Sequence, residues 1–507
     1  MKKSAFLAAI AAVTLSSCIK DFIGHLDDGS PKNPSNLKFE KIGTIINGTG
    51  DEGFAEISAY DAQTKKLFVV NPNEDEVSVW DISNPSMAIE LAAIGLSGTP
   101  NSVAVHKGLL AVAVENSNKQ LNGVIETYNT ETLDLQNSYG AGALPDMVTF
   151  SPNGKYIVAA NEGEPNDDYT IDPEGSVTVI NIEKGEIGTL FFANFSAEAI
   201  GNEFRVFGPS ATLVNDVEPE YVAVSDDSRY AYITLQENNG IAVVDLKAMT
   251  ISNVFGLGAK DYSLPANMMD ASDRDGISGN FKNWPVFGLY MPDAIAFAKI
   301  KGSEYLITAN EGDSRDYDGY SEEERVKDLV LDNTVFLDAA DLQLDENIGR
   351  LKTTSANGDI DGDGDFDKIY TYGARSFSIW DTYGSQIYDS GDEIGRKTFE
   401  INPSLFNNDE GEADGRSDDK GAEPEAVTTL EIGKSTLLFV GLERTGGALV
   451  YDISNPTAPE FLSWLFDTED IAPEGLLTVP AKDSPTGENL LIITNEVSNT
   501  IAIYEIK

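Results

Sequence analysis

The chain has 507 residues, of which 41% are hydrophobic, so a large core is within reach. Its formal net charge of −49, from 84 acidic against 35 basic residues, argues against nucleic acid and anionic membrane surfaces as partners. A single cysteine excludes an internal disulfide, and the two histidines, His25 near the N-terminus and His106 at a hairpin turn, argue against a zinc–histidine cluster or a Ser-His-Asp set.

Lys2 and Lys3, the apolar run 5–15 and the tetrapeptide Leu15-Ser16-Ser17-Cys18 read as a bacterial lipoprotein signal peptide over 1–17. The apolar run is too short to span a bilayer as a stable helix. Cys18 is the expected lipidation site, and several acyl chains on one cysteine suffice for stable anchoring. Ile19 stands where Asp would signal inner-membrane retention, so the expected location is the cell envelope, as an outer-membrane lipoprotein, with Ile19-Lys20-Asp21 loosely like a surface-export signal. Residues 18–36, containing Gly, Ser, two Pro and several Asp, read as a flexible tether.

An alternating strand at 37–46 follows, with no hairpin partner of its own. Beyond it one unit recurs, clearest at 145–163. Pro145-Asp146 opens a hairpin, Ser151-Pro152-Asn153-Gly154 turns it, and Asn161-Glu162-Gly163 closes it. Further copies open at Glu56, Asn101, Glu220, Asp293, Glu425 and Glu474, and a third short strand follows each of the seven units, at 77–81, 124–128, 176–181, 241–245, 376–381, 448–452 and 500–505. Most copies show a weaker fourth strand, such as 251–255 or 460–464. Fixed units of three to four strands predict an all-β fold, a seven-bladed β-propeller over 37–507. Seven blades of roughly 40 residues need only about 300, so the excess must lie in insertions. The last unit ends after its third strand, which predicts that 38–45 pairs with 501–506 and closes the ring without an open edge.

In such a ring the start of each first strand and the end of each second strand lie on one face near the axis. Glu56, Asn101, Asp146, Glu220, Asp293, Glu425 and Glu474 are expected to form an axial acidic ring. Asn71, Glu115, Asn161, Glu162, Glu237, Asn310, Glu311, Glu443, Asn495 and Glu496 are expected to crowd a second one. Carboxylates converging on an axis repel unless a cation or proton offsets them. The insertions 164–174, 186–218, 256–291, 313–374 and 382–423 leave from the same face, which marks it as the functional one.

The sharpest metal signal is Asp359, Asp361, Asp363, Asp365 and Asp367, acids at alternate positions with interposed glycines that let the chain turn sharply. Tyr370 stands where an EF-hand needs Glu, so a shorter calcium loop is expected, with the Asp365 carbonyl among its ligands. The loops after Glu162 and Glu311 are weaker metal candidates. Arg274, Arg375, Arg416 and Lys420, with Arg315 and Arg444, either pair with the acids or grip an anion such as phosphate.

Residues 161–180, 216–225, 270–276, 284–296, 310–317, 372–381 and 416–427 resemble the bacterial choice-of-anchor I family, itself similar to the mesenchyme-specific cell-surface glycoproteins of animal skeleton-forming cells. The likeness covers 37–507 and implies a secreted or surface-exposed protein, here anchored by the lipid on Cys18; it implies no catalytic residues. Two functions from different classes follow. The first is a monomeric, lipid-anchored propeller that binds calcium, or another divalent metal, together with a small-molecule or protein ligand at its acidic face. The second is a calcium-dependent phosphomonoesterase with Glu162, Glu311, Arg315 or Arg444 as its candidate catalytic groups.

Overall fold

The computed structural model describes residues 34–50, 53–409 and 411–507; the expected signal peptide, Cys18 and nearly all of the tether lie outside the described residues. Among the described residues no helix is long and apolar enough to cross a membrane. The fold is all-β and propeller-like. Among the described residues there are seven four-stranded antiparallel sheets, six of them built from strands taken in chain order.

The seventh sheet joins the two ends of the chain. Phe39–Ile46 runs antiparallel to Thr500–Ile506, with Phe39 opposite Ile506 and Ile46 opposite Thr500, as the unpaired N-terminal strand had predicted. A bulge between Lys41 and Gly43 bends this strand, and Gly43 lies so close to the Pro85 carbonyl that a Cβ there would come within 2.2 Å of its oxygen.

The second and third strands are the most apolar, and the reason is geometric: both their faces are covered by neighbouring sheets. Val158 and Val177 are fully buried in a core shared with Val222 and Ile233 of the next sheet. Equivalent shared cores join Ile125 to Val148, Tyr232 to Leu306, Phe377 to Leu449 and Val450 to Ile493. Ile492 then meets Leu67, and Val79 meets Val112, so the last sheet packs on the first. The innermost strands of successive sheets also touch in this cyclic order, Pro473–Val479 returning to Ser58–Asp61.

Two insertions begin later than the sequence suggested. Glu186–Phe191 and Gln386–Asp389 are outer strands of their sheets, weakly apolar because only one face is covered. The insertions at 256–291 and 313–374 are not plain loops. Ala259–Asp261, Phe287–Leu289 and Tyr370–Thr371 form a small sheet, and Tyr262, Met269, Val286, Val326, Ile348, Leu351 and Ile369 bury a separate core.

Candidate functional site

The inner strands surround a cavity of about 380 Å³, lined at one end by Glu56, Asn101, Asp146, Glu220, Asp293 and Glu474. Glu425 opens the inner strand Pro424–Ile432 beside them. The expected axial ring is therefore assembled in space. Burial first, and the neighbouring carboxylates second, push Glu56 up to about 9 and Asp146 up to about 7. Burial raises Glu474 as well, to about 7. Glu220, Asp293 and Glu425 are driven well above the usual carboxylate range by burial and then by other members of the ring.

The second ring divides into two chemical roles. The backbone amides of Glu115, Glu162, Glu443 and Glu496 donate to the carbonyls of Thr99, Leu144, Glu423 and Ala472, each just ahead of an inner strand. This repeated bond places those four glutamates equivalently around the mouth. The asparagines are drawn away from it. Asn161 Nδ2 donates to the Ser176 carbonyl at 3.0 Å and to Thr178 Oγ1 at 3.1 Å, and Asn310 Nδ2 donates to Ser378 Oγ at 2.8 Å. Asn495 and Asn71 likewise reach towards their third strands, so these four tie strands together and do not line the mouth.

Two carboxylate clusters stand at the mouth. Asp146, Glu162 and Glu220 each offer an oxygen within 4.8 Å of the others, and no ion pair to any of them exists among the described residues. Burial and Asp146 push Glu162 far upward. The second cluster, Glu311, Glu423 and Glu443, has the same spacing but is threaded with cations. Lys420 Nζ lies 2.5 Å from Glu311 Oε1, Arg416 Nε 2.6 Å from Glu423 Oε1, and Arg444 Nε 3.0 Å from Glu443 Oε1. Burial, more than its neighbours, moves Glu443 up to about 9.

Of the two sequence expectations for the basic residues, the structure shows the pairing with acids. Arg315 is fully buried beneath the face, where it bonds Asp216 at 2.5 Å and Glu218 at 3.1 Å and stacks on the Phe207 ring, so it cannot reach charge developing at the mouth. Arg375 spends its guanidinium on the carbonyls of Asp270, Ser417 and Asp419, stitching insertions together. Arg416 pairs with Asp419 as well as Glu423, while Arg274 is largely exposed beside Asp273. Arg444, the more exposed of the two arginines paired with the second cluster, stands at the mouth.

In the aspartate loop, Gly362 N and Gly364 N donate to the two oxygens of Asp359, and Ile360 N donates to Asp367 Oδ2. Asp359, Asp361 and Asp367 form one carboxylate group; Asp332, Asp365 and Asp367 form another. Asp365 thus turns its carboxylate inward, beyond the carbonyl expected of it, whereas Asp363 accepts from Asp365 N and belongs to neither group. Asp332 gave no sequence signal, because it reaches the loop only through the bridge between Leu331 and Phe366. Glu423 was also missed; an alignment of the internal repeats on the residue before proline would have flagged it.

Comparison with known proteins bears on this assembly. Gigasin-3a of Magallana gigas is similar, at 30% identity over 33% of this chain and 67% of that protein. Kuenenia stuttgartiensis hydrazine synthase resembles the structure at a TM-score of 0.50 and 12% identity, over 91% of this chain and 99% of that one, which bears on fold alone. The WD40 domain of Toxoplasma gondii coronin aligns at a TM-score of 0.49 and 9% identity, over 93% and 86% of the two chains. The choice-of-anchor I domain matches residues 56–456, most of the strands and both carboxylate clusters among them, and the chain belongs to the choice-of-anchor I domain family.

Proposed function

We propose that the chain is a lipid-anchored propeller of the cell envelope, seven-bladed, that takes up divalent cations at its acidic mouth, calcium foremost, and through them a ligand or partner. The seven four-stranded sheets and their cyclic shared cores support the blade count. Family membership supports a surface or envelope setting, and the Leu15–Cys18 motif supports the lipid anchor. The cluster of Asp146, Glu162 and Glu220, which has no ion pair among the described residues, is the decisive observation. Three converging carboxylates without an ion-pair partner are stable only when protons or a cation offset them, and hard oxygen ligands suit calcium. The more exposed aspartate loop supplies a second calcium position.

Calorimetry on the full-length chain, stripped with a chelator, tests this. Calcium uptake with a raised melting temperature is the expected result; no heat and no shift would exclude the cation-binding function. The phosphomonoesterase alternative loses Arg315 to its buried pairs and retains Glu162, Glu311 and Arg444. Phosphate-ester hydrolysis with calcium, zinc or magnesium that disappears in Glu162→Gln would move the assignment to that enzyme.

A further inference from the structure

The residue before the opening proline adopts a left-handed conformation in four of the repeats: Leu144 with φ 48°, Met291 with φ 41°, Glu423 with φ 52° and Ala472 with φ 57°. Three of these side chains are apolar, and all four are buried. At the three other left-handed positions the side chain is apolar, whereas Glu423 puts a fully buried carboxylate there, as Glu218 does ahead of Pro219 without the left-handed turn.

Its surroundings are only half satisfying. Glu423 Oε1 accepts from Arg416 Nε at 2.6 Å, but Oε2 accepts no hydrogen bond. Lys420 Nζ stands 3.4 Å from it and Arg444 Nε 3.7 Å, ion pairs that form no hydrogen bond to this oxygen. Glu311 and Glu443 complete a group whose oxygens lie within 4.8 Å of one another. Glu311 is anchored from behind, Oε2 accepting from Gln236 Nε2 at 3.0 Å, which leaves Oε1 facing Lys420. Lys420 has an alternative resting place, since exposed Asp313 lies 3.5 Å from its ammonium.

We propose that Glu311, Glu423 and Glu443 form a divalent-cation site in which the Lys420 ammonium acts as a tethered stand-in, displaced towards Asp313 when a metal enters. The geometry provides three carboxylates for a hard cation, one of them with a buried oxygen that accepts no hydrogen bond, and a single charge on a flexible stem that competes for the same oxygens. The site shares no ligand with Asp146, Glu162 and Glu220, so it stands whether or not the axial cluster binds metal. Lys420 makes it selective: a monovalent ion gains little over the ammonium already there, whereas a divalent ion gains the second charge.

The test reads Lys420 directly in the full-length chain carrying Glu162→Gln, which weakens uptake at the axial cluster. Acylation of Lys420 by an amine-reactive ester is followed by peptide mass spectrometry with chelator and with calcium or manganese. Labelling should rise several-fold with metal, and the rise should vanish when Glu423→Gln is added. Lys420→Met provides a second reading, in which one calcium binds at least about tenfold tighter than in the Lys420 parent because the competing charge is gone. Metal-independent labelling, or unchanged calcium affinity in a folded Lys420→Met protein, would reduce the cluster to a structural ion-pair network and overturn the proposal.

Discussion

Arg315 shows how much a single side chain can mislead when read along the chain. Its neighbours Glu311, Asp313 and Asp316 suggest a charged loop, yet its guanidinium is buried between Asp216 and Glu218, 99 and 97 positions away. Removing it leaves two buried carboxylates without their cation. Arg315→Met should therefore cost about 3–5 kcal/mol of stability, measurable by denaturant unfolding, while calcium affinity at the mouth changes little. Glu162 predicts the opposite pattern. Glu162→Gln removes one charged oxygen ligand and some repulsion, so the metal-free protein should melt at the same or a higher temperature while calcium binding weakens at least about tenfold by calorimetry. Neither outcome follows from residue type, because both are charged groups in loops after second strands. Burial and pairing separate them, and those depend on what the ring brings alongside.

At the scale of elements, the closing strand carries the clearest prediction. Ile45 is 2% exposed and packs with Leu67, Ile492 and Ile501, so it joins both ends of the chain in one core. Ile45→Ala should cost about 2–5 kcal/mol and lower the melting temperature, a loss that a surface strand would not show. This pairing was legible in advance because a strand without a partner and a unit lacking its fourth strand can satisfy each other's backbone groups. The outer strands Glu186–Phe191 and Gln386–Asp389 were harder to see. With one face open to solvent they carry few apolar residues, so their alternation merges with the insertions that follow. The aspartate loop was visible as spacing, whereas Asp332 was not, since a bridge between distant backbones delivers it. Asp367 belongs to both carboxylate groups there. Asp367→Asn should remove one calcium from the stoichiometry and leave the axial uptake intact.

For the whole molecule, the axial ring makes stability depend on pH in a direction opposite to ordinary acid denaturation. Glu56 at about 9 and Asp146 and Glu474 at about 7 lie above the usual carboxylate range. Between the unfolded values and these, the folded chain holds more protons than the unfolded one, so stability falls as pH rises. Metal-free protein should melt progressively lower from about pH 5 to about pH 9, and calcium should flatten that slope by replacing protons at the mouth. Thermal melts across the range, with chelator and with calcium, measure both effects. A slope that rises with pH in chelator would contradict the crowded ring.

Local pattern alone sufficed for the repeating hairpin, the third strands, the closing strand and the face from which the insertions leave. Each follows from a period of two, a turn or an unpaired edge, and those are properties of neighbouring residues. Tertiary structure decided which charges meet. The sequence names Asp146, Glu162 and Glu220 as acids and Arg315, Lys420 and Arg444 as bases. Only closure of the ring leaves the first three without an ion pair among the described residues, sinks Arg315 beneath the face, and sets Lys420 between Glu311 and Glu423. Coulomb interactions depend on distance through the folded molecule and on the water excluded around them, and neither quantity is written in the order of the residues.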